Sequence, residues 1–270
     1  MMEPVTSKSG DGCLVLAMPH TGTWVPDSLR ADLNERGRQL SDTDWHLDRL
    51  YADLVPDATI VGANFHRYLI DANRDPGGNS LYPGQNTTAL CPVTDFDGQP
   101  LYREGREPDA SEIARRIEAY HTPYHAALSR ELERVRARHG VAVLYDCHSI
   151  RSRIPFLFDG TLPDFNVGTN LGVTCAPHME AAVAAICAAA PGFTSVLNGR
   201  FRGGWTTRHY GRPEEGTHAI QMELAQATHL ATETAPFAYD AGKADRLRTH
   251  LKTILETLAG LALAPGTMEA

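Results

Sequence analysis

VAVLYDCHS, residues Val141 to Ser149, is an apolar run that turns polar within one residue, ending in Asp146, Cys147, His148 and Ser149. The continuous apolar run Val141 to Tyr145, closed by those polar residues, reads as a strand covered on both faces. CLVLAM, Cys13 to Met18, repeats the pattern and runs into Pro19-His20-Thr21-Gly22, which places His20 at the C-terminal end of a second buried strand. Ala58 to Ala63 and Tyr68 to Ile70 read as further strands. The latter opens into Asp71-Ala72-Asn73-Arg74-Asp75-Pro76-Gly77-Gly78 and a polar loop to about Pro108. Ala219 to Leu224 reads as the last strand and carries Gln221 and Glu223. Helical spacing is expected over Trp45 to Leu54 behind the capping residues Ser41-Asp42-Thr43-Asp44, and over Ala110 to Arg138 with a break near Thr122-Pro123. Pro177 to Ala190 and Asp240 to Leu263 read as helices too, and Arg200 to Gly211 as a Gly- and Arg-rich loop. Helices alternating with apolar strands predict an α/β fold with a largely parallel sheet covered on both faces. No linker, repeat or low-complexity tract divides the chain, so residues 1–270 are expected to form a single domain.

Composition narrows the function. The 33 acidic residues outnumber the 25 Lys and Arg, giving a formal charge of −8, and no dense basic run exists. Nucleic acid is therefore excluded as the expected partner, because its binding rests on clustered cations. No apolar stretch reaches the length of a membrane span, and the polar N-terminus lacks a signal-peptide core, so a cytoplasmic protein with no membrane role is expected. Five cysteines without a Cys-x-x-Cys pair suit neither a disulfide framework nor a thiolate zinc site.

In sheets of this kind the site lies beyond the carboxyl ends of the strands. His20, Asp44 and His148 supply two imidazoles and a carboxylate, a set suited to a catalytic zinc with an open position for water. His46, Asp48 and Asp146 compete for the same role, and Asp44 and Asp48, one helical turn apart, are not separable by spacing. A lone His at a strand end is more often a packed residue than a ligand; the pair with a carboxylate between them carries the metal reading. Arg67, Arg74, Arg151, Arg153, Arg200, Arg202, Arg208 and Arg212 cluster near the proposed strand ends of an acidic chain, which suits an anionic small substrate. Glu223, among apolar neighbours, reads either as a general base or as a salt-bridge partner of one of these arginines.

The segments PHTG (Pro19 to Gly22), SDTDWH (Ser41 to His46), RYLIDANR (Arg67 to Arg74), DCHSIRS (Asp146 to Ser152), FDGTLPDFNVGT (Phe158 to Thr169), NGRFRGGWTTRHYG (Asn198 to Gly211) and AIQMEL (Ala219 to Leu224) resemble, in order, the N-formylglutamate amidohydrolase family. The resemblance covers about residues 13 to 260. It implies a metal-dependent hydrolase with a zinc-carboxypeptidase-like fold, a three-layer sandwich around a mixed, largely parallel sheet. It also implies one divalent ion, most simply Zn2+, on His20, Asp44 and His148. Zinc carboxypeptidases carry a Glu three residues past the first His, where Thr23 stands here, so the carboxylate comes from elsewhere and Asp44 is its match. Asn73 and Arg74 match a pair that grips a substrate carboxylate, with Arg151, Arg153 or Arg208 for a second one. Glu223 matches the general base, and Arg67 is expected at the oxyanion. The implied reaction is hydrolysis of N-formyl-L-glutamate, a small acidic N-formyl amino acid, to formate and glutamate in histidine degradation. The same residues allow a hydrolase of another N-acyl or N-carbamoyl acidic amino acid, or a non-catalytic anion-binding protein. They leave the oligomeric state open.

Overall fold

Nine consecutive buried residues make Ala142–Ile150 (β4) the middle of the molecule. The structure, a computed structural model, describes residues 2–79 and 84–264; residues 80–83 of the expected polar loop and the last six residues lie outside them. Strand β4 lies between Leu14–Met18 (β2) and Thr217–Ala225 (β7), parallel to both. Thr59–Ala63 (β3) continues the sheet parallel to β2, and Val5–Lys8 (β1) closes that edge antiparallel to β3. On the other side Phe165–Gly168 (β5) runs antiparallel to β7, and Ser195–Leu197 (β6) lies parallel to β5. The seven-stranded sheet is thus mixed, in the order β1-β3-β2-β4-β7-β5-β6.

Helices cover both faces. Asp27–Asp32 (α1), Leu47–Tyr51 (α2), Ala110–Arg116 (α3), Thr122–His139 (α4), Pro177–Ala189 (α5), Trp205–Tyr210 (α6) and Ala241–Leu263 (α7) complete the chain. Alternation along β4 separates the layers. Tyr145 packs edge-on against Tyr51 of α2, whereas Asp146 accepts a hydrogen bond from Thr207 Oγ1 of α6 at 2.9 Å. Side chains of Leu144, Asp146 and His148 therefore share one face, and Val143, Tyr145 and Cys147 the other. Cap chemistry fixes two helix starts: the Asp109 carboxylate accepts from the Glu112 N–H at the head of α3, and that of Asp240 from the Lys243 N–H at the head of α7. The irregularity expected near Thr122 is a single π-helical turn, Ile117–His121, between α3 and α4.

Four expectations change. Arg200 to Gly211 is not all loop, since Trp205–Tyr210 forms α6 within it. Tyr68 to Ile70 is buried but forms a turn rather than a strand, held by the His66 carbonyl accepting from the Leu69 N–H. The helix expected over Trp45 to Leu54 shrinks to Leu47–Tyr51, because His46 takes a left-handed conformation (φ 59°) and Ala52 returns to an extended one. Strand β4 does not stop at Tyr145; it carries Asp146 and His148 within its ladder.

Leu144 is fully buried where β2, β4 and β7 meet. Leu144→Ala is expected to destabilise the fold by about 2–5 kcal/mol, against about 1 kcal/mol for removing the α7 cap with Asp240→Ala. Urea denaturation of both variants checks the ranking, and an equal loss would refute it.

Candidate active site

The parallel register puts His148 of β4 opposite Glu223 of β7, and Asp146 opposite Gln221, so these four polar side chains leave the same face of the sheet. His20 follows β2 by two residues, and the loop carrying Asp44 is tied to it by the Asp44 N–H donating to the His20 carbonyl at 3.0 Å. The three candidate ligands meet there. Oδ2 of Asp44 lies 3.2 Å from His148 Nδ1 and 3.6 Å from His20 Nδ1, and ligand atoms of all three residues fall within 4.8 Å of one another. Asp48 is exposed on α2 and outside the group.

A carboxylate holds the far side of the His20 imidazole, and an amide that of His148. Asp71 Oδ1 accepts from His20 Nε2 at 2.7 Å, and a carboxylate can only accept, so Nε2 carries the proton and the Nδ1 lone pair faces Asp44. His148 Nε2 lies 3.1 Å from Asp146 Oδ1 and 3.1 Å from Asn73 Nδ2. His20 Nδ1 and Asp44 Oδ1 are buried and make no hydrogen bond among the described residues. Two such orphaned electron-pair donors, in a group whose nitrogen and oxygen ligand atoms lie within 4.8 Å of one another, fit a divalent ion such as Zn2+.

Charge is dense and dry here. Burial alone would raise the Asp44 carboxyl, but the protonated forms of His20 and His148 outweigh it and hold the group well below the ordinary carboxylate range. Burial disfavours the His148 cation, yet Asp146 and Asp44 push its pKa well above the usual value. Glu223 goes the other way: burial lifts it to about 8 against the opposing His148 charge, and Asp44 and Asp146 add repulsion. Its Oε2 accepts from Gln221 Nε2 at 3.1 Å, and Gln221 Oε1 in turn accepts from the Gly204 N–H at 2.6 Å. Arg67 is 6% exposed. It donates to Asp71 Oδ2 at 2.8 Å, lies 3.6 Å from Asp44 Oδ1, and sits under the Phe96 ring, 4.7 Å from its centre.

Most of these groups border a cleft that opens to solvent, whereas Asp44, fully buried behind the two imidazoles, does not line it. His20, His148, Glu223, Arg67, Asn73 and Arg74 all reach it. Arg151, Arg153 and Arg208 do not line it. Arg151 is drawn off by Asp97 Oδ1 at 3.1 Å, Arg153 is exposed, and Arg208 Nε donates to the Gly203 carbonyl at 2.9 Å. Asp71, Gln221 and Phe96 carry no assigned role in the sequence reading, although Asp71 opens the stretch to Arg74 that falls at a proposed strand end. Asp71 sits within the RYLIDANR segment, and Gln221 precedes Glu223 by two residues on the same strand face, a spacing that could have flagged it.

A buried carboxyl, two imidazoles and a carboxylate that could hold an ion, and guanidinium groups along the wall form a set of groups suited to hydrolytic chemistry on anionic small molecules. Residues 12–230 match the family model described as N-formylglutamate amidohydrolase. The chain is 48% identical over 260 residues to an N-formylglutamate deformylase of Pseudomonas aeruginosa, covering 96% of this chain and 97% of that one. It is 47% identical over 247 residues to an N-formylglutamate deformylase of Pseudomonas putida, covering 91% of each. The crystal structure of an N-formylglutamate amidohydrolase from Ralstonia eutropha superposes with a TM-score of 0.78 at 27% identity, covering 97% of this chain and 98% of that one. The chain belongs to the N-formylglutamate amidohydrolase family.

His20→Ala and His148→Ala are each expected to lose most bound divalent metal while the far-ultraviolet circular dichroism stays that of the parent protein, and Asp44→Asn to weaken metal retention. Asp48→Asn is expected to retain it. Metal analysis after dialysis decides: full occupancy in both His variants would remove the ligand set.

Proposed function

We propose that this chain hydrolyses N-formyl-L-glutamate to formate and glutamate, the closing reaction of one route of histidine degradation, with a divalent ion held by His20, Asp44 and His148. The reading is carried by one observation: a buried Glu223 beside that His-Asp-His group, in a cleft lined by Arg67 and Arg74, within a chain nearly half identical over its length to two N-formylglutamate deformylases. When bound, the ion supplies Lewis acidity to the formyl carbonyl and acidifies a water molecule.

The chain's own residues do the rest. Asn73 and Arg74 take a carboxylate of the substrate and so fix where the amide lies. Arg74 is itself braced, donating through Nε to the Thr88 carbonyl and through Nη2 to Thr88 Oγ1, each at 3.0 Å. Glu223 accepts the proton of the attacking water as a new C–O bond forms at the formyl carbon. It then delivers the proton to the glutamate nitrogen as the C–N bond breaks. Gln221 holds the carboxyl of Glu223 in place for both transfers. Arg67, kept charged by Asp71 and Asp44 and shielded by Phe96, offers a fixed positive charge to the oxyanion of the tetrahedral intermediate.

Glu223→Gln is expected to retain metal and substrate while kcat falls by about 10²–10⁴-fold, since an amide cannot accept the proton. Near-parental turnover would make Glu223 an ion-pair residue. Tested on N-formyl, N-acetyl and N-carbamoyl derivatives of glutamate and aspartate, the enzyme is expected to favour N-formylglutamate, and to lose activity on chelation. Preference for another acyl group would move the function to a sister hydrolase, and tight substrate binding without turnover in metal-replete protein would make it a binding protein. Arg74→Lys is expected to cost on the order of tenfold or more in kcat/KM, because an ammonium cannot reproduce the guanidinium fork; a change within twofold would contradict the grip.

A further inference from the structure

Of the eight arginines that the sequence gathers near the strand ends, Arg67, Arg74 and Arg200 line the cleft. Arg67 is engaged with Asp71 at the reacting end. The other two rest on one short stretch of chain. Arg74 bonds to Thr88, and Arg200 Nη2 donates to the Asn86 carbonyl at 3.0 Å while its Nε donates to the Leu157 carbonyl at 3.0 Å. Residues 86 and 88 are two steps apart, so their Cα atoms are separated by no more than about 7 Å. Two guanidinium groups are therefore held near one another along one wall. The Arg200 guanidinium also lies 5.3 Å from the centre of the Phe201 ring, which lines the same cleft, and partial desolvation of this kind strengthens a carboxylate contact.

An N-acyl monocarboxylate can use one such group, whereas a diacid with its carboxylate carbons four bonds apart can use both. Their order follows from covalent chemistry. The α-carboxylate sits one carbon from the scissile nitrogen, and Asn73, next to Arg74, touches His148; the side-chain carboxylate lies two carbons further along. We propose that Arg200 is the specificity-determining residue that receives the side-chain carboxylate, with Asn73 and Arg74 receiving the α-carboxylate. This rests on the N-formylglutamate reading above.

The test compares N-formylglutamate with N-formylglutamine, which has the same shape but lacks the second charge, on the metal-replete enzyme. The preference of the parent enzyme for the acid is expected to shrink by about 10–100-fold in Arg200→Gln, through a rise in KM for N-formylglutamate rather than a fall in kcat. The ratio is read within one preparation, so a partly unfolded sample cancels, and Arg200→Lys, expected to keep part of the preference, stands in should the Gln variant not fold. An unchanged preference, or an equal loss on both substrates, overturns the role of Arg200 while leaving the reaction intact. A parent enzyme that does not turn over N-formylglutamate defeats the underlying reading, and this inference with it.

Discussion

The Asp71 carboxylate, fully buried, accepts from His20 Nε2, from Arg67 Nη2 and from the Asn73 backbone N–H. Burial alone would raise its pKa; Arg74, His20 and Arg67 reverse this and hold it well below the ordinary range. One anion thereby sets the tautomer of a candidate ligand, the place of a cation and the start of the Asn73-Arg74 loop. Replacing it with an apolar residue would strand a buried guanidinium and release an imidazole, a loss far larger than that of an exposed ion pair. The sheet supplies the frame, but this carboxylate couples the end of β2 to the Asn73-Arg74 loop.

Much of this was legible in the sequence, and the limits have physical causes. Strands β2, β4 and β7 announce themselves because central strands are apolar on both faces. Strands β1, β5 and β6 are three or four residues long, too short for any period to show. Tyr68 to Ile70 misleads because a buried loop is as apolar as a buried strand. Between Asp44 and Asp48 spacing could not decide; the left-handed His46 ends any helical continuity, leaving Asp44 ahead of the helix and Asp48 exposed upon it. Among Arg151, Arg153 and Arg208 the sequence offers equal candidates for a second carboxylate, since nothing local reveals that Asp97 captures Arg151.

A net acidic chain that receives an acidic molecule needs its positive charge concentrated. Arg36, Arg115 and Arg138 pair with carboxylates at exposed positions and contribute little at a distance in physiological salt. Arg67, Arg74 and Arg200 border the cleft, where a lower dielectric lets each charge act over the few ångströms that matter. The local field, rather than the total, governs what enters.

Cys147 stands between Asp146 and His148 in the chain yet belongs to the opposite face of β4, with its Sγ directed to the Tyr145 carbonyl at 3.5 Å and its thiol pushed well up by burial. The pleat thus turns a sulfur away from the candidate centre one residue along the chain. A thiophilic metal such as copper(I) or cadmium would find only nitrogen and oxygen at the candidate centre, and an oxidant reaching the cleft would find no thiolate. Strand alternation here doubles as a filter on which elements of the periodic table the pocket can retain.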